Sequence, residues 1–197
     1  METVSSTKTS WRTIDLVYSG LFASLMMVGA NITSFAPFLT VGGVPITLQT
    51  FFAVLAGLVL GKKKGAIACA VYILIGLAGA PVFAKFSGGF SMILAPTFGF
   101  IITFVLIAYI AGWIVEKFQT RTAYIAAALL ATFLNYVLGT NWMYAAYTLW
   151  AGALEGFTYG MAWLWMIPPM PKDFLLAIFA GIFAYRLQKT LKILPVK

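Results

Sequence analysis

Polar side chains are few in this chain, and their positions are informative. Thr47 and Gln49 open one apolar stretch. Asn135 and Asn141 sit inside another, beside Tyr136, Trp142 and Tyr144, and Lys172 and Asp173 stand where a third begins. Amides, hydroxyls and a carboxylate set among apolar residues can hold a small polar molecule by hydrogen bonds, with aromatic rings to pack its flat faces. Each residue also has a plainer role: Asp173 suits a helix N-cap, and an Asn within a span can bond a neighbouring helix. Other chemistry is excluded. With no histidine there is no Ser-His-Asp triad, histidine metal site or histidine proton relay. The five acids, Glu2, Asp15, Glu116, Glu155 and Asp173, include no close pair of the kind glycosidase or metal chemistry uses. No phosphate-cradling loop is present for ATP hydrolysis, and the long stretch around Asn135 has no acid to couple proton movement. Cys69, the single cysteine, can form no internal disulfide and reads as a small buried hydrophobe.

The elements that must position these residues follow from composition. Apolar types make up 62% of 197 residues and charged types 9%, against about half and about a quarter in a soluble domain. Too little polar surface exists to cover a water-soluble globule, so the chain reads as an all-α integral membrane protein in contact with the lipid bilayer. A crossing needs about 20 apolar residues. Six stretches qualify, residues 14–35, 44–60, 65–83, 96–115, 123–150 and 173–187, the second and sixth being short. They imply one six-helix bundle over residues 1–197. The first stretch is longer than a signal-peptide core and lacks a small-x-small cleavage pattern, so it is expected to remain in the mature chain.

Charge sets the expected orientation. Lys8 and Arg12 precede the first span, Lys62, Lys63 and Lys64 separate the second from the third, and Lys117 and Arg121 separate the fourth from the fifth. Arg186, Lys189, Lys192 and Lys197 follow the sixth, leaving only Lys85 and Lys172 on the other side. The positive-inside rule then places both termini in the cytoplasm. The net charge of +8 is spread through short loops rather than clustered on a polar face, which argues against nucleic acid.

The outer connections are the natural place for a site. Residues 36–45 carry Gly42, Gly43 and Pro45; residues 84–95 carry Lys85, Ser87, Gly88 and Gly89. Residues 151–172 carry Glu155, Tyr159, Trp163, Trp165 and a proline run. Adjacent glycines admit a ligand close to the backbone, although glycines and prolines also simply end helices. On the first span, Ser19 and Ala23, and Gly20 and Ser24, lie four apart and permit close helix approach, either within the bundle or with a partner.

The run Gly43-Val44-Pro45-Ile46-Thr47-Leu48-Gln49-Thr50-Phe51-Phe52, continuing to Leu55-Ala56-Gly57 and Leu60-Gly61, resembles the signature of the BioY family. These are biotin-binding S components of energy-coupling factor (ECF) transporters. The resemblance continues through Tyr72, Gly76 to Ala84, Gly88-Gly89, Pro96-Thr97 and Gly99, then Tyr136 to Gly139 with Trp142, and Pro171, Asp173 and Leu175. It spans roughly residues 16–187. It implies a six-helix protein of a prokaryotic plasma membrane that binds biotin from outside, without being an enzyme and without a cofactor of its own. ATP is then hydrolysed by two partner ABC-type ATPases joined through a transmembrane coupling subunit, or T component.

Residue by residue, the expected ligand contacts are Thr47, Gln49, Ser87, Gly88, Gly89, Asn141, Trp142, Tyr144, Lys172 and Asp173. Ser19, Gly20, Ala23 and Ser24 are the expected docking face. Two positions depart from the family. Leu176 stands where a Lys is usual three residues after the helix-six Asp, and Phe98 adds bulk after Thr97. Either change suits a related carboxylate such as lipoate or dethiobiotin as the alternative ligand. An intramembrane transferase relying on Asp173 or Glu155, and a channel without saturable affinity, are the readings from other classes.

Overall fold

The computed structural model describes residues 13–35, 40–41 and 44–191. Glu2, Lys8, Arg12, Gly42, Gly43, Lys192 and Lys197 lie outside the described residues. The helices are α1 (Thr13–Asn31), α2 (Gln49–Leu60), α3 (Lys62–Leu77), α4 (Phe98–Lys117), α5 (Arg121–Leu149), α6 (Tyr159–Leu164) and α7 (Met170–Leu191). A two-stranded ribbon, β1 (Thr40–Val41) against antiparallel β2 (Val44–Pro45), and three short 3-10 helices, Ile32–Phe35, Ala84–Phe86 and Phe90–Leu94, are the other regular elements among the described residues.

Three helices, α1, α4 and α5, are long and apolar enough to cross a membrane. The second hydrophobic stretch differs from expectation. Its helix starts at Gln49 rather than Val44, and twelve residues cover only about 18 Å, short of the roughly 30 Å of a hydrocarbon core. This helix is also the hub of the bundle, packed by α1, α3, α4, α5 and α7, and Ala53 to Leu60 are all buried. A helix apolar on every side suits that position. Non-helical backbone at such depth persists only where protein covers it or a cavity adjoins it. The chain from Val44 to Leu48 meets that condition, with the Leu48 amide donating to the Gly29 carbonyl of α1 at 2.9 Å. The third stretch is likewise shorter than expected: α3 ends at Leu77, and Ala78 to Phe83 continue as turn and loop.

The interior is built from small side chains. Alanines 53, 56, 68, 108, 111, 127, 128, 131, 177, 180 and 184 are all buried, while Leu16, Val28, Leu74, Phe133, Leu175 and Phe179 face outward. Small residues let backbones approach closely, and large apolar ones meet lipid without penalty. At Gly57 an added Cβ would lie 2.2 Å from the Ala108 carbonyl oxygen, so α2 and α4 touch backbone to backbone.

The ends of the bundle are tied differently. At one end Gly61, with φ 82°, breaks α2 from α3. There the Lys62 amide donates to Glu116 Oε1 (2.9 Å) while its ammonium lies 3.1 Å from Oε2, and Lys64 reaches buried Asp15 at 2.6 Å. Thr120 caps α5 through the Ala123 amide at 3.2 Å. These contacts gather the start of α1, the α2–α3 turn and the α4–α5 turn at one end.

The small-residue pairs of α1 separate. Ser19 and Ala23 are buried against the bundle, with Ser19 Oγ donating to the Asp15 carbonyl, whereas Gly20 and Ser24 face outward. The expectation that all four form an outer face is corrected for Ser19 and Ala23: helical rotation of about 100° per residue turns adjacent positions away from each other.

Candidate functional site

At the opposite end the chain encloses a cavity of about 230 Å³. Its walls come from the extended segment before α2, the first turn of α2, the loop after α3, the inner faces of α4 and α5, and the start of α7. Ligand sites more often run to about 300–1,000 Å³, so this one suits a small molecule. Pro45, Ile46, Phe83, Met92, Phe100, Ile101, Phe104, Met166 and Pro169 make it mainly apolar, and Thr47, Gln49, Thr50, Ser87, Asn135, Tyr136 and Asp173 supply hydrogen-bonding groups.

The polar groups are held by one another. Gln49 Nε2 donates to Tyr72 OH (2.6 Å), and Tyr72 OH donates on to the Val82 carbonyl (3.2 Å). Thr47 Oγ1 donates to Gln49 Oε1 at 3.1 Å. From α5, Asn135 Nδ2 donates to Thr50 Oγ1 (3.1 Å), while its Oδ1 accepts from Thr103 Oγ1 (2.5 Å). The next residue, Tyr136, donates from its hydroxyl to Asp173 Oδ2 at 2.6 Å. Its ring stacks on Phe174 and meets Phe100 edge-on.

The carboxylate of Asp173 is buried, which requires compensation. Lys172 supplies it: its ammonium lies 2.7 Å from Oδ1 and also donates to the Thr47 carbonyl. Oδ1 is itself buried, and the Lys172 ammonium meets it as an ion contact rather than an aligned hydrogen bond. Gln49 and Asn135 each have a second amide N–H beyond the bonds described. The cavity is therefore lined by two amides, each with an N–H in reserve, and by one carboxylate.

Of the residues singled out from sequence, Thr47, Gln49, Ser87 and Asp173 line the cavity, and Lys172 stands behind Asp173. Gly88 and Gly89 shape the loop instead. A Cβ at Gly88 would lie 2.1 Å from the Ala80 carbonyl oxygen, and the Gly89 amide donates to the Gly76 carbonyl at 2.7 Å.

Asn141, Trp142 and Tyr144 lie elsewhere. Asn141 bonds the Val137 carbonyl (2.7 Å) and receives Tyr159 OH (3.4 Å). Trp142 packs on Phe98 and Trp150 and donates to the Ala95 carbonyl, and Tyr144 packs on Phe157 and Tyr159. The α5 residues on the cavity are Asn135 and Tyr136. Leu176 and Phe98 are not among its lining residues. Thr50 and Asn135 were detectable in the sequence only as polar residues within apolar stretches.

Comparison with known proteins agrees with this architecture. A family model described as "BioY family" matches residues 3–193. A Bacillus subtilis protein named "Putative biotin transporter BioYB" is 44% identical over 86% of this chain and 85% of its own length. The "Biotin transporter BioY" of Thermotoga maritima is 40% identical over 63% of this chain and 70% of its own. A solved structure described as the S-component for biotin from an ECF-type ABC transporter has the same fold, with a TM-score of 0.74 over 91% of this chain and 95% of that one, at 21% identity. With a cavity of this construction and a family model matched along nearly its whole length, the chain belongs to the BioY family.

Proposed function

We propose that this chain is a biotin-binding S component of an ECF importer and takes biotin into the cavity between α2, α4, α5 and α7. The carrying observation is the pairing of an acceptor, Asp173, with free amide N–H groups of Gln49 and Asn135 inside an otherwise apolar chamber. Biotin's ureido ring needs that combination: its two N–H groups seek acceptors, its carbonyl seeks donors, and its thioether ring seeks apolar walls. Thr47 and Ser87 add hydroxyls, and Tyr136 and Lys172 fix the carboxylate.

The chain works as a single membrane domain, with α1–α5 and α7 crossing the bilayer of a prokaryotic cell and α6 lying in the outer connection. Lys62, Lys63, Lys64, Lys117, Arg121, Arg186 and Lys189 lie at or near the helix ends away from the cavity, which supports cytoplasmic termini and an outward-opening site. Import energy comes from partner ATPases through a coupling subunit, for which Gly20 and Ser24 supply an outward-facing small-residue contact. The chain is a transporter component and not an enzyme.

Titrating the purified, ligand-free protein with biotin, lipoate and dethiobiotin tests the assignment, using the six tryptophans as reporters and calorimetry as a second readout. Saturable binding of biotin supports it. A response to lipoate or dethiobiotin alone assigns the cavity to a related carboxylate, and silence toward all three in both measurements overturns it.

A further inference from the structure

Resting on the biotin assignment, we infer that Lys85 takes the ligand's carboxylate, and so holds the molecule with its ring inside the cavity and its charged tail at the mouth. The first argument is charge. Among the described residues that line the cavity, two are charged, Asp173 and Lys85. Lys172 already offsets Asp173 and is further engaged by the Thr47 carbonyl. Among the described acids, Asp15 pairs with Lys64, Glu116 with Lys62 and Asp173 with Lys172, and no acid forms an ion pair with Lys85. The lining therefore carries one uncompensated positive charge. A carboxylate entering a mainly apolar chamber needs that charge at its own end.

The second argument is position. Gln49 and Asn135, the neutral amides of the chamber, are 5% and 2% exposed, whereas Lys85 is exposed while still lining the cavity. The chamber is thus polarised, with uncharged hydrogen-bonding groups deep inside and an exposed lysine among the residues at its edge. A ligand with a neutral polar head and an anionic tail enters in one orientation.

The third argument is the backbone. Lys85 (φ 60°, ψ 32°) and Phe86 (φ 54°) are successive left-handed residues, a conformation uncommon for non-glycine side chains. The end of α1 imposes it. The Phe86 amide donates to Asn31 Oδ1 (2.7 Å), the Lys85 amide donates to Ser34 Oγ (3.1 Å), and Phe83 and Ser87 close the loop through a 2.9 Å backbone bond. Glycine would occupy the Lys85 position more comfortably. A lysine serving only to solvate the surface has no need of a strained site with two dedicated acceptors, whereas one that must face a cavity does. Strain of this kind gathers where a side chain has to be aimed.

The test compares biotin with biotinamide, in which a neutral carboxamide replaces the carboxylate, on the purified full chain and its Lys85→Met, Lys85→Gly and Lys85→Arg variants. The expected result is that Lys85→Met and Lys85→Gly weaken biotin binding on the order of 10- to 100-fold and close the gap between acid and amide. Lys85→Arg keeps that gap, and Lys85→Gly melts no lower than the unmodified chain because it relieves the left-handed strain. Loss of both ligands in parallel, or of neither, overturns the role of Lys85 and leaves the biotin assignment standing. An unmodified chain that binds neither ligand overturns both.

Discussion

The two ends of this bundle spend their polar groups in opposite ways. At the basic end, each described acid is matched to a lysine or to a backbone amide: Asp15 to Lys64, and Glu116 to both the ammonium and the amide of Lys62. The turns there are short. At the cavity end, α2 starts late, the chain before it is extended, and two successive residues take left-handed backbone conformations. Side chains there bond to one another around a chamber and keep part of their capacity unused. One end stabilises the bundle by pairing its charged groups, although the Tyr124 hydroxyl in the first turn of α5 is buried there without a partner. The other leaves them partly unsatisfied, and that reserve is what a ligand meets.

Substitutions can break this contrast, and the largest effect is expected where there is no room at all. Gly57→Leu would drive a side chain into the Ala108 carbonyl, costing more than about 3 kcal/mol and abolishing a monodisperse folded peak in size-exclusion chromatography. Next is Asp173→Asn, which removes the buried acceptor's charge but keeps its shape. Calorimetry should show biotin binding weaker by about 2 kcal/mol, on the order of 30-fold, with melting little changed. Undiminished affinity would move the acceptor away from Asp173. At the basic end the pattern reverses: Lys64→Met withdraws the ammonium from buried Asp15 and should lower thermal stability by about 1–3 kcal/mol with biotin affinity intact. An affinity loss there would mean that the two ends are coupled.

The smallest direct effect is expected at Gly20, where an added side chain meets nothing within 4 Å. Gly20→Leu should leave binding and melting unchanged within about 0.5 kcal/mol while reducing uptake by cells carrying the coupling module. Normal uptake would remove this face from docking. Ala23→Leu does not test the same point, because Ala23 is buried and its enlargement would disturb the core.

Much of the helical layout was readable from hydropathy. The fourth and fifth stretches, residues 96–115 and 123–150, correspond to helices Phe98–Lys117 and Arg121–Leu149. Hydropathy failed where apolar chain is not helical. Val44 to Leu48 and Ala78 to Phe83 are as hydrophobic as the helices beside them, and a transfer scale does not distinguish apolar loop or extended chain from apolar helix. The short helix Tyr159–Leu164 lies inside a long connection, its start marked only by Thr158, whose side chain accepts from the Met161 amide.

The site was readable to a different degree. Thr47, Gln49, Ser87 and Asp173 stand out because each is a polar residue at an element boundary, and all four reach the cavity. Along α5 the same reasoning selected Asn141, Trp142 and Tyr144, whereas the cavity meets Asn135 and Tyr136. Six residues carry Asn141 about 9 Å along the helix from Asn135 and about 240° around it. In a 29-residue helix with polar residues at several depths, sequence contains no signal for which depth faces the chamber.

Sequence alone determined the class of molecule, its apolar helices, the asymmetry of its charges and the polar residues available for binding. These are properties of composition and local order, set by the cost of placing each side chain in lipid. Only the tertiary structure decided that α2 begins at Gln49, that Lys172 is committed to Asp173, that Ser34 and Asn31 accept from the Lys85 and Phe86 amides, and that α5 presents Asn135 and Tyr136. Those outcomes depend on contacts between residues distant in the chain, where backbone approach at small side chains sets helix depth and rotation.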